Sequence, residues 1–264
     1  MTSRFGRVAT DRPRISARGS TCRSAGKMRI PRPYIGGMEA RRFATLAAIA
    51  EQQTGLVSTA QAAVQGISRA ALGRLAQAEV ILPLRRGIYL VRGNTPDLLD
   101  LRAAWLATNP DRDPDADLAS GPVLSHAAGA QVWQAGDLSA WPVDITVPHR
   151  RWSRQQDVRY RVRALDNAEV TVVNGLPVTS PGRTVADLLD DRMGGHDPAH
   201  VGKVAADLLA GRRETRAGLA RHLKGKGGQL GLRGAVSGTR VLSALLHAAG
   251  YTERVEQDLK ALAA

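Results

Sequence analysis

The sequence predicts an α/β (α+β) protein: an N-terminal winged helix-turn-helix, followed by a mixed α/β domain with C-terminal helices. Three observations predict it. Helical apolar spacing between Phe43 and Glu79 is broken twice by capping signals, two β-rich runs between Val80 and Val91 flank an arginine-bearing tip, and strand-like runs alternate with helix starts between Ser125 and Leu189. The first two, in that order, form a module that places a short helix in the major groove of DNA.

Phe43, Leu46, Ala47 and Ala50 recur at i, i+3, i+4 and i+7, which marks one buried stripe of a first helix that Gly55 ends. Ser58 followed by Gln61 has the spacing of a capping box and opens a second helix of about two turns. Gly66 closes that helix where a left-handed residue costs least, and Ser68 caps a third helix that runs to about Glu79. At 100° per residue Leu72, Leu75, Ala76 and the stem of Glu79 share one face, and Ala70, Gly73, Arg74 and Gln77 share the opposite one. The second face is the expected reading head. Arg pairs bidentately with guanine, Gln with adenine, Ala meets a thymine methyl, and Gly lets the backbone approach. On a lone helix the same residues would make an ordinary solvated face; the order of elements here favours DNA contact. Arg69 sits at the shoulder, placed for phosphate. In the run from Val80 to Val91, Arg85 and Arg86 precede Gly87 at a hairpin tip, placed to ride the DNA backbone. Ser58 and Thr59, at the start of the second helix, complete the expected DNA-contacting set.

The chain has 264 residues, 43% hydrophobic and 4% aromatic, enough for two modest domains. No apolar run approaches the roughly 18 residues a membrane helix needs, so no membrane partner is expected. The single cysteine, Cys22, excludes an intramolecular disulfide framework, and a cytoplasmic location follows by default. The formal charge of +13 is uneven: residues 1–37 hold nine basic residues and one acidic, whereas residues 94–120 hold two basic and six acidic. A basic front favours an anionic polymer as partner. Because 32 of the 37 cationic residues are Arg, a skew that GC-rich coding also produces, charge only supports the motif. Residues 1–37 lack apolar periodicity and read as a disordered basic leader. A nucleic-acid-binding arm, a start at Met28 or Met38, and a targeting peptide all fit that composition.

Beyond the hairpin, "PDLLDLRAAWLA" has helical spacing, and the Asp-rich "NPDRDPDAD" reads as a linker. A helix begins near Ser125, after which "VDITVP", "VRYRVRAL" and "EVTVVNGLPV" read as strands of a small sheet. In "TSPGRTVADLL" Thr179 or Ser180 caps a helix, Pro181 takes its first turn, and Val185, Leu188 and Leu189 point inward. Three further helices follow from about Pro198.

Catalytic constellations fall short. Asp144 could open a metal-nuclease motif, but no Glu-X-Lys or Asp-X-Lys strand follows it. His196 and His200 have i, i+4 spacing, yet Pro198 lies between them and no third ligand is near. His126 after Ser125 reads as a packed residue beside a cap. "GKGGQLGLRG" lacks the strand and helix that a phosphate cradle requires. No enzyme activity, cofactor or metal is expected.

The order "LVSTAQAAVQGISRAALGRLAQAEVI", "LRRGIYLV", "VLSHAAGAQVW", "DITVPHRR" and "GLPVTSPGRTVADLL" resembles the AbiEi family of antitoxins from type IV toxin-antitoxin systems, especially its actinobacterial branch, over about 40–225. The resemblance implies a winged helix at 38–94 that binds inverted repeats of double-stranded DNA in its own promoter; paired half-sites would be read by two copies of the protein, a dimer on DNA, or by two wings one helical turn apart. It implies an antitoxin domain at 95–225, leaving 226–264 as a helical tail, and a nucleotidyltransferase-like toxin as counterpart. On this chain the reading role falls on Arg69, Arg74 and Gln77, and the backbone role on Arg85 and Arg86. Two rivals stay open: a winged-helix regulator with a ligand-sensing or dimerising second domain and no toxin, and a nuclease guided by the winged helix through Asp144.

Overall fold

Helix α1 (Gly37–Glu51) forms on the expected apolar stripe and stops ahead of Gly55, because the chain must turn there into a short strand, β1 (Leu56–Ser58). The structure, a computed structural model, describes residues 37–113, 121–151, 155–191 and 195–251. The basic leader expected at 1–37, Gly37 excepted, and the last part of the tail lie outside the described residues, as do residues 114–117 of the Asp-rich linker.

Ser58 caps α2 (Thr59–Val64) in a complete capping box. Its hydroxyl accepts from the Gln61 amide at 3.0 Å, and the Gln61 side chain accepts from the Ser58 amide at 3.0 Å. Gly66, at φ +71°, makes the turn. Ser68 then caps α3 (Arg69–Gln77), accepting from the Ala71 amide at 3.2 Å. Glu79 differs from its expected place on the buried face. The helix has already ended, and a φ of +53° turns the side chain outward, where it pairs with Arg92 at 3.3 Å.

Strands β2 (Ile81–Arg85) and β3 (Ile88–Val91) form the hairpin, and β1 adds to its far side, giving the antiparallel order β1-β3-β2. Leu46, Ile67, Leu72, Leu75, Ile81 and Val91 form the core beneath, each at most 3% exposed.

Helix α4 (Leu99–Thr108) leads into a five-stranded sheet. Its members are β4 (Val123–Leu124), β5 (Val143–Val147), β6 (Val158–Val162), β7 (Val170–Val173) and β8 (Leu176–Thr179), in the order β6-β5-β4-β8-β7. The pairs β4/β8 and β5/β6 are parallel, and β4/β5 and β7/β8 antiparallel. One face, carrying Val143, Ile145, Val147 and Val178, packs with Trp105 and Leu106 of α4, and this core also takes in Leu56, Ile88 and Leu90 from the first sheet.

Helices α5 (His126–Val132) and α6 (Pro181–Asp190) adjoin the sheet, and α7 (Pro198–Ala210), α8 (Arg216–Leu223) and α9 (Gly238–Ala248) complete a helical bundle. Val185, Leu188, Val204, Leu219, Leu242 and Leu245 are its interior. A Cβ at Gly202 would collide with the Leu245 carbonyl, so only glycine permits the approach of α7 to α9. The architecture is α+β: an N-terminal region of helices and a small sheet, a second sheet, and a C-terminal α-helical bundle.

Candidate nucleic-acid interface

The amphipathic logic of α3 decides what faces outward. Leu72 and Leu75 are 0% and 1% exposed, so the opposite side of the helix must meet solvent. Ala70, Gly73, Arg74 and Gln77 all lie on that exposed side, as does Arg69 at the helix start. An ideal Cβ at Gly73 would meet nothing within 4 Å, so the helix backbone itself is approachable there. The hairpin tip stands beside this face. Between the tip and the stretch from α2 to the start of α3 runs a groove of about 540 Å³, lined by Thr59, Ile67, Ser68, Arg69, Arg86 and Tyr89. Arg69 and Arg86 are both exposed. Two guanidinium groups thus stand at the edges of a concave surface.

Three expected contact residues sit differently from this exposed set. Ser58 is 0% exposed. Its hydroxyl is consumed by the α2 cap and by a short hydrogen bond donated to the Pro110 carbonyl, because β1 draws it into the first sheet. Thr59 is half-buried and ties the hairpin to α2, with its amide and hydroxyl donating to the Gly87 carbonyl at 2.7 and 3.2 Å. Arg85 is turned away from solvent, its side chain 14% exposed. It forms an ion pair with Asp157 and donates to the Gln155 side chain at 3.1 Å. Burial pulls its guanidinium below the ordinary value, with the charge of Asp100 partly opposing.

A polar network on the second sheet was not foreseen from sequence. Asp144 on β5, 0% exposed, accepts from Arg159 through both carboxylate oxygens (2.6 and 2.7 Å) and from Arg161 at 2.8 Å. Arg161 also donates to Asp191 at 2.7 Å, Arg163 donates to Asp187 at 3.1 Å, and Arg183 pairs with Asp187 and with Glu169. The visible signal was the alternation of Arg159 and Arg161 on β6, continued by Arg163 just after it. It sends all three to one face, opposite Asp144 in the register Asp144↔Arg159.

This network also answers the metal-nuclease rival at Asp144, whose carboxylate is filled by guanidinium donors. Among the described residues no group of three or more His, Cys, Asp or Glu is placed to hold a metal ion. His196 lies 3.8 Å from Asp191 whereas His200 is exposed, so the two histidines serve different surroundings. Ser125 stands at the N-cap of α5 without capping through its side chain. Instead its oxygen meets the His126 Nδ1 at 2.9 Å and accepts from Thr146 at 2.9 Å. Burial lowers the pKa of His126 and of His196, against the raising pull of nearby aspartates. No described helix is long and apolar enough to cross a membrane.

Comparison with known proteins places one part of this description. The chain is similar to the crystal structure of RV2827C protein from Mycobacterium tuberculosis, at 17% identity and a TM-score of 0.49, over 85% of this chain and 81% of that one. No curated protein matches it. A family model described as "Transcriptional regulator, AbiEi antitoxin" matches residues 45–92, which span the C-terminal part of α1, β1, α2, α3 and the hairpin. The likeness to the AbiEi family model covers residues 45–92.

Proposed function

We propose that residues 37–94 work as a winged helix-turn-helix, with α3 seated in the major groove and the β2–β3 hairpin as the wing. The observation that carries this reading is the outward face of α3. Ala70, Gly73, Arg74 and Gln77 are exposed together beside a groove edged by Arg69 and Arg86, within the segment that matches a transcriptional-regulator family. Arg74 and Gln77 read base edges, and Arg69 and Arg86 hold phosphates. The target is an inverted repeat in the promoter of the protein's own operon. It is bound by two copies with half-sites one helical turn apart.

On this reading the protein is an antitoxin that represses its own transcription and counteracts a nucleotidyltransferase-like toxin, with residues 95–225 serving antitoxicity. The paired arginines of the second sheet support that division of labour, since guanidinium groups already neutralised by buried carboxylates attract no further phosphate.

Footprinting on DNA upstream of the gene tests the first part. Arg74→Ala should lose about 1–3 kcal/mol of discrimination at one base position in each half-site. Unchanged sequence preference would exclude α3 as the reader. Co-expression with the neighbouring reading frame tests the second part: growth rescue supports antitoxicity, and its absence leaves a regulator alone.

A further inference from the structure

The hairpin tip carries two consecutive arginines that point to different places. A register shift between Pro83 and Arg85 puts Pro83 opposite Tyr89 but Arg85 opposite Ile88, an irregularity that re-aims the side chains at the end of β2. Arg86 is exposed at the groove, whereas Arg85 turns toward the second sheet, where Asp157 and Gln155 hold it. Asp157 is itself well anchored. It immediately precedes β6, and its carbonyl accepts from the Val143 amide at 2.8 Å, so its carboxylate is carried by the sheet backbone. On its other side the tip is pinned at Gly87, whose carbonyl accepts twice from Thr59. A hairpin tip is ordinarily the loosest part of such a module. Here it is tied at both flanks of Arg86.

We infer that Asp157 is a positioning residue for duplex binding. By holding Arg85 it fixes the hairpin so that Arg86 faces Arg69 across the groove, and the second sheet thereby sets DNA affinity without touching DNA. The inference rests on the reading of residues 37–94 as a DNA-binding module. It makes a prediction opposite in sign to simple electrostatics. Removing a carboxylate near a phosphate-binding surface should tighten binding by reducing repulsion. If Asp157 is a tie, its removal weakens binding, because the tip must then be ordered at each association.

The test is fluorescence anisotropy of the full chain with two duplexes, the DNA upstream of its own gene and an unrelated sequence of the same length, across a salt series. Asp157→Asn should weaken binding to both about two- to tenfold. The slope of log affinity against log salt should stay unchanged, since no phosphate contact is lost. Arg85→Ala should behave alike, and the double variant should be no weaker than either single one, as expected for two halves of one contact. Gln155→Ala, a milder cut at the same tie, should weaken binding less. Arg86→Ala should lower the slope by about 0.9, as loss of a direct phosphate contact does. Unchanged or tighter binding by Asp157→Asn, or a slope steeper by about 0.9 as Arg85 swings to a phosphate, overturns the inference. If Arg74→Ala and Arg86→Ala also bind like wild type, the DNA-binding reading itself fails. If they weaken binding while Asp157→Asn does not, only the positioning role fails.

Discussion

The same side chain does opposite work in the two halves of this molecule. Arg69, Arg74 and Arg86 stand exposed around the outer face of α3 and the hairpin tip, above an apolar core cluster. Arg159, Arg161 and Arg183 turn inward onto Asp144, Asp187 and Asp191, with side-chain exposures of 25%, 16% and 9%. The lesson is that a net charge of +13 does not count contacts with an anionic partner. An exposed guanidinium can exchange counterions for phosphate, whereas a buried one is already committed to a carboxylate that cannot do without it.

The largest effect that would sharpen the contrast is in the second sheet. Asp144→Ala strands Arg159 and Arg161, so chemical denaturation should show a loss of about 3–5 kcal/mol, as for any buried pair deprived of one partner. A loss below 1 kcal/mol would mean that water replaces the carboxylate and that the network is not truly buried. Arg69→Ala and Arg86→Ala should do the reverse. Stability should stay within about 0.5 kcal/mol of wild type, while each variant flattens the salt dependence of duplex binding by about 0.9. Destabilisation by either would break the distinction from the other side.

Smaller again is Gly73→Ala. The helix has open space at that position, so a methyl group should stabilise the fold by about 0.5–1 kcal/mol by thermal unfolding. The same methyl should nevertheless weaken duplex binding, because it stands where the backbone would approach a base edge. Greater stability with unchanged binding would remove Gly73 from the interface.

The smallest effect is a pH dependence confined to the second half. Burial depresses the pKa of His126 and His196 in the fold, so the unfolded chain takes up protons first as pH falls below about 6.5. Stability is complete above that value, declines as pH falls from it toward the folded-state pKa values, and levels off below them. Unfolding measured between pH 7.5 and 5 in wild type and in a His126→Gln, His196→Gln double variant should show a shallower decline in the variant. Equal declines would place the proton uptake elsewhere.

Much of the first half was legible because its signals are local. The capping box at Ser58 and Gln61, the cap at Ser68, the turn at Gly66 and the two faces of α3 depend on neighbours within a few positions, and those neighbours are written in order. The strand pairs β5, β6 and β7–β8 and the start of α6 at Pro181 were legible for the same reason. Strands β1 and β4, three and two residues long, carry no periodicity of their own and exist only because partners distant in sequence hydrogen-bond to them. Glu79 left its predicted face because the helix ended two residues early, and Ser58 lost its exposure once β1 joined the hairpin.

The residue types themselves therefore determined which faces are apolar, where helices start, and that an arginine- and glutamine-bearing helix surface would be presented. What tertiary structure alone decided is which arginines remain available. Arg85 and Arg86 are adjacent and chemically identical in sequence, yet Asp157, 72 positions after Arg85, takes one and leaves the other at the groove. Charge pairing acts through space over a few ångströms, and no pattern along the chain encodes which carboxylate will arrive there.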